Sequence, residues 1–316
     1  MNTTRNATPR SIPDYLDQLR VALAGADPAL VQDALYDAEE YLRSEMSENP
    51  GKSEAEVIAS VAGSYGAPFE VAEIYRDTEA RVQVAITPPK PVERTTPLGR
   101  FFGVAADPRA YGALFYSILA MATGIFYFTW IVTGLSLSVG LAVLIIGIPF
   151  AILFFGSVRV LSLVEGRIVE AMLGERMPRR PLYAARGKGW MARIGEMFTD
   201  PRTWSAMLYM LLMLPLGITY FTLIVTLMTT AIACVFAPIL LGFGAFDGLW
   251  LDHYPIGPWW MVNNYEVSST LGWWQYPVVF LFGVVLLFGT LHLARGIGRM
   301  HAVLAKHLLV KSAQYA

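Results

Sequence analysis

The chain has 316 residues, of which 55% are hydrophobic, and this composition excludes an ordinary soluble domain. The net charge of −1 averages two unlike parts. Residues 11–94 carry sixteen acids against seven basic residues (about −9), and residues 95–316 carry nine acids against fifteen basic residues (about +6). The acidic part should avoid nucleic acid and anionic headgroups, whereas the basic part flanks apolar segments.

The first long apolar run begins near Ala110, which is too late for a signal peptide. The N-terminal part is therefore expected to stay in the cytoplasm. The one cysteine, Cys234, lies in an apolar run and cannot form an internal disulfide.

Residues 1–10 are polar and are predicted to be a disordered tail, and residues 11–86 carry the start and stop signals of four short helices. Ser11 is a helix cap followed by Pro13, and Asp27-Pro28 repeats this signal. A capping box starts at Ser53, and a turn precedes Pro68. These signals predict a small, acidic, all-helical domain.

Three features of residues 11–76 form a recognisable pattern: Asp14-Tyr15-Leu16-x-x-Leu19, the acidic second helix, and Gly66-x-Pro68-x-x-Val71-Ala72. On these features the domain resembles the HAAS signalling domain, a cytoplasmic helical module that is joined to membrane segments in many bacterial proteins. The resemblance implies a signalling role for residues 11–86.

Residues 87–97 form a proline-rich linker, and residues 98–316 are predicted to form a membrane domain. No charged residue occurs between Ala110 and Val158, and about 20 apolar residues suffice to cross a bilayer, so this stretch must cross and return. We place the reversal at 134–140. The predicted spans are 111–134, 139–161, 204 to about 228, and 277–293. Segment 232–246 either continues the third span or forms a re-entrant half-helix. The predicted fold class is an all-α polytopic helical bundle.

Two stretches of the membrane domain repeat each other, at 107–174 and 200–310. Asp107-Pro108-Arg109 recurs as Asp200-Pro201-Arg202, an offset of 93 that also pairs several aromatic residues and glycines. The downstream ends match at an offset of 133. The sequence therefore predicts two repeated hairpins, the second of which carries an insertion at 247–276.

Lysine and arginine residues concentrate between the second and third spans and after the fourth. The 134–140 and 247–276 segments contain none. By the positive-inside rule, both termini are expected to be cytoplasmic. The resemblance to a module of bacterial proteins implies that the membrane is the inner membrane of a bacterium.

The membrane domain also resembles the bacterial sensor domain found in some histidine kinases and in stand-alone proteins. The residues that carry this resemblance are the glycine-flanked turn starting at Gly134, the Leu163-Val164-Glu165-Gly166-Arg167 stretch, and the tail at 293–305. The family supplies no catalytic residues, and no kinase or output domain follows the tail in this sequence.

The predicted outer loop, 247–276, is the candidate ligand-binding or interaction surface. It is either an aromatic belt at the bilayer interface or a pocket that binds an apolar or cationic ligand on aromatic faces. A metal at Asp252 and His253 fits no strong ligand spacing. The candidates are Trp250, Asp252, His253, Trp259, Trp260, Trp273 and Trp274.

Two further sets of polar residues have structural interpretations, and the spans lack charged residues at depth. Asp107 and Asp200 are predicted helix caps. His292, His301 and His307 are expected at the cytoplasmic interface. The spans themselves contain no Asp, Glu, Lys or Arg at depth, which argues against an ion-coupled transporter.

These features predict a non-enzymatic signalling or regulatory protein that senses a ligand, lipid or envelope state outside and relays it to the acidic domain. The acidic domain would dock through Glu39 and Glu40 on a basic loop that contains Arg179, Arg180 and Arg186. Expected partners are membrane lipid, another protein and a second copy of the chain; no nucleic acid, metal or cofactor is expected. The alternative is a passive transporter or lipid-handling protein with a pathway lined by Thr129, Thr133, Thr222 and Thr226.

Overall fold

The computed structural model describes residues 8–86, 96–144, 146–178, 195, 198–242 and 274–310. These residues are mostly helical and contain no β-strand, which confirms the all-α fold class. The helices are α1 (Ile12–Ala22), α2 (Pro28–Glu48), α3 (Glu54–Ser64), α4 (Pro68–Ile86), α5 (Pro97–Gly103), α6 (Pro108–Gly140), α7 (Gly147–Leu173), α8 (Pro201–Gly242) and α9 (Gln275–Leu309).

Helices α6 to α9 are each long and apolar enough to cross a membrane, as predicted for a multi-pass protein. They are longer than the predicted spans. In particular, the basic ends that follow the second and fourth predicted spans continue α7 and α9 without a break. In α7 and in α9, the apolar segment and its polar end therefore belong to one continuous helix.

The prediction that the first hairpin reverses at 134–140 is wrong, because α6 continues to Gly140 and α7 begins only at Gly147. Gly134 instead provides room for a neighbouring ring: a Cβ atom there would lie 2.1 Å from Cε2 of Phe154. Gly147 closes the reversal, since its Cβ would lie 1.9 Å from the carbonyl oxygen of Leu141.

The sequence allows the segment 232–246 to be either a continuation of the third span or a re-entrant half-helix. The structure decides between these interpretations as far as Gly242. Helix α8 runs on to Gly242 with Pro215 and Pro238 inside it. The segment thus continues the third span, although each proline removes one backbone donor from the helix.

The chain divides into two compact units. Unit 1 comprises Met1–Pro89, Ile125–Met213 and Met300–Ala316, and unit 2 comprises Lys90–Gly124 and Leu214–Arg299. Helices α6, α8 and α9 contribute to both units.

Within unit 1, helices α1 to α4 enclose an apolar core in which Leu19, Leu42 and Ile58 are fully buried. The caps form as predicted. Ser11 accepts a hydrogen bond from the Asp14 N–H, and the capping box of Ser53 and Glu56 is complete.

Within unit 2, α5 packs on α9. Phe101 and Phe102 contact Phe288, and His292 Nε2 lies 3.0 Å from the carbonyl oxygen of Phe101. Because a carbonyl oxygen only accepts, His292 donates from Nε2.

The two predicted repeats make matching local contacts. The Tyr111 hydroxyl donates to the carbonyl of Ala105 at 2.9 Å, and the Trp204 indole donates to the carbonyl of Phe198 at 2.8 Å. Both pairs of positions are related by the offset of 93. These contacts accord with a duplication, which itself stays a prediction.

Candidate functional site

The outer loop predicted to bind a ligand lies almost wholly outside the described residues. Of its seven candidates, Trp250, Asp252, His253, Trp259, Trp260 and Trp273 lie outside them. Trp274 is described: it precedes α9 and its surface is 56% exposed.

Asp107 and Asp200 lie at the starts of α6 and α8, where their Oδ1 atoms accept hydrogen bonds from the N–H groups two residues on, each at 3.1 Å. Their second oxygens pair with arginines. In unit 1, Arg159 Nη2 donates to Asp200 Oδ2 at 3.0 Å. In unit 2, Arg295 Nη1 lies 3.1 Å from Asp107 Oδ2, an ion pair without hydrogen-bond geometry.

A buried polar cluster joins all four apolar helices within unit 1, and we call Tyr127, Glu165, Tyr209 and His301 the buried tetrad. The Glu165 carboxyl lies at its centre on α7 and is 0% exposed. Its Oε2 accepts the hydroxyl of Tyr127 on α6 at 2.9 Å, and its Oε1 accepts the hydroxyl of Tyr209 on α8 at 3.0 Å.

The fourth helix enters the tetrad through His301 on α9. His301 Nε2 lies 2.9 Å from the Tyr209 hydroxyl oxygen. Because that hydroxyl has one proton and donates it to Glu165, His301 must donate from Nε2 to Tyr209. Proton donation therefore runs in one direction, from His301 through Tyr209 to Glu165.

The sequence predictions missed this tetrad. Glu165 falls beyond the predicted second span, which ends at 161, and His301 was expected at the interface, yet both are fully buried. One signal was available: Val158, Glu165 and Val169 recur at the spacing of one helix face, and all three are 0% exposed. An acid on an apolar face marks a functional candidate in a membrane protein.

A second polar site joins the N-terminal domain to the polar end of α7, also within unit 1. Arg176 follows α7 and is 8% exposed. Its Nη2 donates to Asp33 Oδ2 on α2 at 3.1 Å, and its Nη1 donates to Glu79 Oε2 on α4. One buried guanidinium thus holds two helices of the domain.

Lys306, near the end of α9, makes a more exposed contact with the same domain. Its ammonium donates to Asp27 Oδ2, the cap of α2, at 2.7 Å, and to Glu175. We call the contacts of Arg176 and Lys306 the docking ion pairs.

The residues proposed for docking differ from those observed in these pairs. Glu39 is buried and pairs with Arg43 of its own helix, and Glu40 is exposed. Arg179, Arg180 and Arg186 lie outside the described residues. The contacts nevertheless join the acidic domain to the basic loop and tail, which is the kind of contact that the charge distribution suggested.

Residues 116–309, more than half of the chain, match the family described as "Putative sensor". The chain belongs to this family. The match covers the whole buried tetrad together with Arg176 and Lys306 of the sensor domain, whereas Asp27, Asp33 and Glu79 precede it. No curated protein and no solved structure matches the chain.

The predicted resemblance to the sensor domain is thereby confirmed, and membership indicates a sensing or signalling role. The tetrad belongs to the sensor domain itself. The docking ion pairs join this domain to the helical segment that precedes it.

Proposed function

We propose that the chain is a signalling protein without catalytic activity of its own, which senses a condition at the membrane and relays it to the N-terminal helical domain. The observation that carries the proposal is a continuity along α9. This helix holds His301 of the tetrad and, five residues later, Lys306 of the docking ion pairs. At 1.5 Å per residue, the two lie about 7.5 Å apart along the axis.

Helix α7 provides a second connection of the same kind. It carries Glu165, and it ends at Leu173, just before Glu175 and Arg176. A rotation or shift of either helix at the tetrad would move a docking residue with it. A rearrangement of hydrogen bonds in the tetrad would thereby favour or disfavour docking of the domain.

The finer parts of the proposal rest on sequence. The N-terminal domain is a HAAS-like output module, supported by the quoted motifs. The cytoplasmic position of both termini is supported by the distribution of Lys and Arg. The location in a bacterial inner membrane is supported by the family resemblances alone. A reporter fused after Ala316 tests that topology, and its accessibility from outside would contradict it.

The stimulus is proposed to act on the outer aromatic loop, 247–276, which is rich in tryptophan. The output would be a protein partner that meets the N-terminal domain only when its docking has changed. Both parts are proposals from residue type and charge.

The alternative is a passive transporter or lipid-handling protein with a pathway between the hairpins. Thr129, Thr133, Thr222 and Thr226, which were expected to line that pathway, are all exposed. None of these four side chains is buried between packed helices.

The relay is tested by perturbing the tetrad and measuring the domain. Tyr209→Phe removes both hydrogen bonds of one hydroxyl without changing the ring. In the full chain in lipid nanodiscs, we expect amide hydrogen exchange in α2 near Asp33 to become faster. The matched control is Tyr111→Phe, which removes one exposed hydroxyl bond on α6.

Arg176→Gln provides the positive control, since it disrupts docking directly. If Arg176→Gln accelerates amide hydrogen exchange in α2 while Tyr209→Phe gives the same exchange as Tyr111→Phe, the domain docks, but the tetrad does not affect its docking. That result would overturn the relay.

A further inference from the structure

A cavity of about 80 Å³ with a mixed polar and apolar lining lies wholly within unit 1, where the helical domain, α7 and the start of α8 meet. Its polar lining comes from Gln32 on α2, Arg159 and Ser162 on α7, and Asp200, Arg202 and Thr203 at the start of α8. We propose that this cavity is a binding site for a phosphate-bearing ligand, either a lipid headgroup or a soluble phosphorylated compound.

The charge of the lining favours an anion. Arg159 and Arg202 line the cavity together with a single acid, Asp200, so the charged residues of the lining sum to +1. Arginine presents a planar fork of N–H donors that matches the oxygens of phosphate.

Arg159 is held in place for such a contact. Its Nη2 donates to Asp200 Oδ2 at 3.0 Å, and its Nε donates to Thr203 Oγ1 at 3.2 Å. These bonds fix the plane of the guanidinium and occupy only part of its donor set, since arginine has five N–H groups. The side chain is one-third exposed and lines the cavity, so its other donors can meet a ligand.

Thr203 adds a buried donor to the same wall. It is 2% exposed, and its oxygen accepts from Arg159. The threonine hydroxyl therefore has its own proton to donate, and a phosphate oxygen in the cavity is a suitable acceptor.

The remaining wall includes Leu163, Ala206 and Leu309, which are apolar. A ligand with a phosphate next to a short apolar group would contact both parts of the lining. Because Gln32 belongs to the N-terminal domain, such a ligand would touch the domain and the apolar helices at once. The binding claim is independent of the proposed relay.

Two binding experiments on the purified full chain, called arms here, distinguish a lipid headgroup from a soluble phosphorylated compound. In the first, native mass spectrometry follows retention of phosphatidylglycerol titrated into detergent. In the second, isothermal calorimetry in phosphatidylcholine-only nanodiscs follows inorganic diphosphate. We expect saturable binding in one arm, weakened about tenfold by Arg202→Gln, which corresponds to about 1.4 kcal/mol.

The control variant is Arg167→Gln, which removes the same charge from an exposed position on α7 that does not line the cavity. Ser162→Leu is the second test variant, because it fills the cavity and leaves the Arg159–Asp200 pair intact. It should abolish binding while the melting temperature stays near that of the wild type.

Binding in the phosphatidylglycerol arm alone identifies a lipid headgroup, and binding in the diphosphate arm identifies a soluble phosphate compound. If neither arm shows saturable binding, or if Ser162→Leu and Arg202→Gln bind as Arg167→Gln does in both, the proposal is overturned. If the relay test fails but ligand binding persists, the proposed phosphate site is unaffected.

Discussion

The hydroxyl of Tyr209 donates to Glu165 at 3.0 Å, and both groups are fully buried although they lie on different apolar helices. This bond is the second and last step of the chain of donors that starts at His301. A buried carboxyl is costly in an apolar surrounding unless donors satisfy it, and here Tyr127 and Tyr209 each provide one.

The tetrad predicts an order of stabilities among hydroxyl deletions. Tyr209→Phe removes the donor to Glu165 and the acceptor of His301, whereas Tyr127→Phe removes one donor only. Since a buried polar group left without its bond costs about 1–3 kcal/mol, Tyr209→Phe should lower the apparent melting temperature more than Tyr127→Phe. Thermal unfolding of the purified chain in detergent measures this.

Tyr111→Phe provides the baseline for that series, because its hydrogen bond is exposed and should contribute little. Equal melting temperatures for all three variants would show that the tetrad contributes no more than a surface hydroxyl.

The Arg176 contacts predict a large loss of docking stability when the guanidinium is removed and its carboxylate partners remain. Arg176→Met leaves the buried Asp33 and the half-buried Glu79 without this counter-ion, and breaking a buried pair in this way costs about 3–5 kcal/mol. Docking of the domain should weaken, seen as faster trypsin cleavage after the basic residues of α4. Adding Asp33→Asn and Glu79→Gln to Arg176→Met should restore much of the protection, because the uncompensated charges are then gone.

Salt should affect the docking contacts of Lys306 and of Arg176 differently. Lys306 is 23% exposed, and Arg176 is 8% exposed. Ions screen exposed charges over about 10 Å at 0.1 M but reach buried pairs poorly. Raising the salt should therefore weaken docking of the Arg176→Met variant more than that of the Lys306→Met variant. The opposite order would show that Arg176 is accessible to solvent.

Much of the fold could be predicted because local signals decide it. The caps at Ser11, Asp27 and Ser53 start helices in the structure where the sequence placed them. Apolar length alone located four spans. The first reversal was misplaced because a glycine can mark either a turn or a close packing contact, and Gly134 proved to be the second kind.

The candidate site could not be predicted in the same way. Its residues come from four helices far apart in the chain, and no spacing rule connects Tyr127, Glu165, Tyr209 and His301. The residues of the docking ion pairs could not be predicted from the sequence either. The opposite charges of the two parts suggested contact, but which arginine becomes buried depends on where α7 ends relative to α2 and α4.

Close helix packing in unit 2 predicts that alanine substitutions of Gly217 and Gly289 differ in their effect on the melting temperature. A Cβ at Gly217 would lie 2.2 Å from the carbonyl oxygen of Ala120, a backbone atom that cannot rotate away. Gly217→Ala should therefore lower the melting temperature strongly by forcing α6 and α8 apart. Gly289→Ala on α9 meets nothing within 4 Å and should be neutral or slightly stabilising, since alanine favours a helix. A neutral Gly217→Ala would contradict this packing.

The capping box of α3 predicts a pH dependence in the N-terminal domain. Hydrogen bonds from the Ser53 backbone and hydroxyl lower the pKa of Glu56 below its ordinary value of 4.5. Because the folded pKa is the lower one, the carboxylate stabilises the helix start above the unfolded pKa. This contribution is lost as the pH falls through the folded pKa. Amide exchange in the first turn of α3, corrected for the intrinsic rate at each pH, should lose protection below about pH 4.5 in the wild type.

Glu56→Gln is the matched variant for this experiment, because it keeps the size of the side chain and cannot ionise. Its protection should be lower than that of the wild type at pH 7 and should change little between pH 7 and pH 3. The hydroxyl of Ser53 still accepts from the Glu56 N–H, so the helix start should persist in part. A Glu56→Gln profile that falls with pH as steeply as the wild type would assign the acid sensitivity to another carboxyl group.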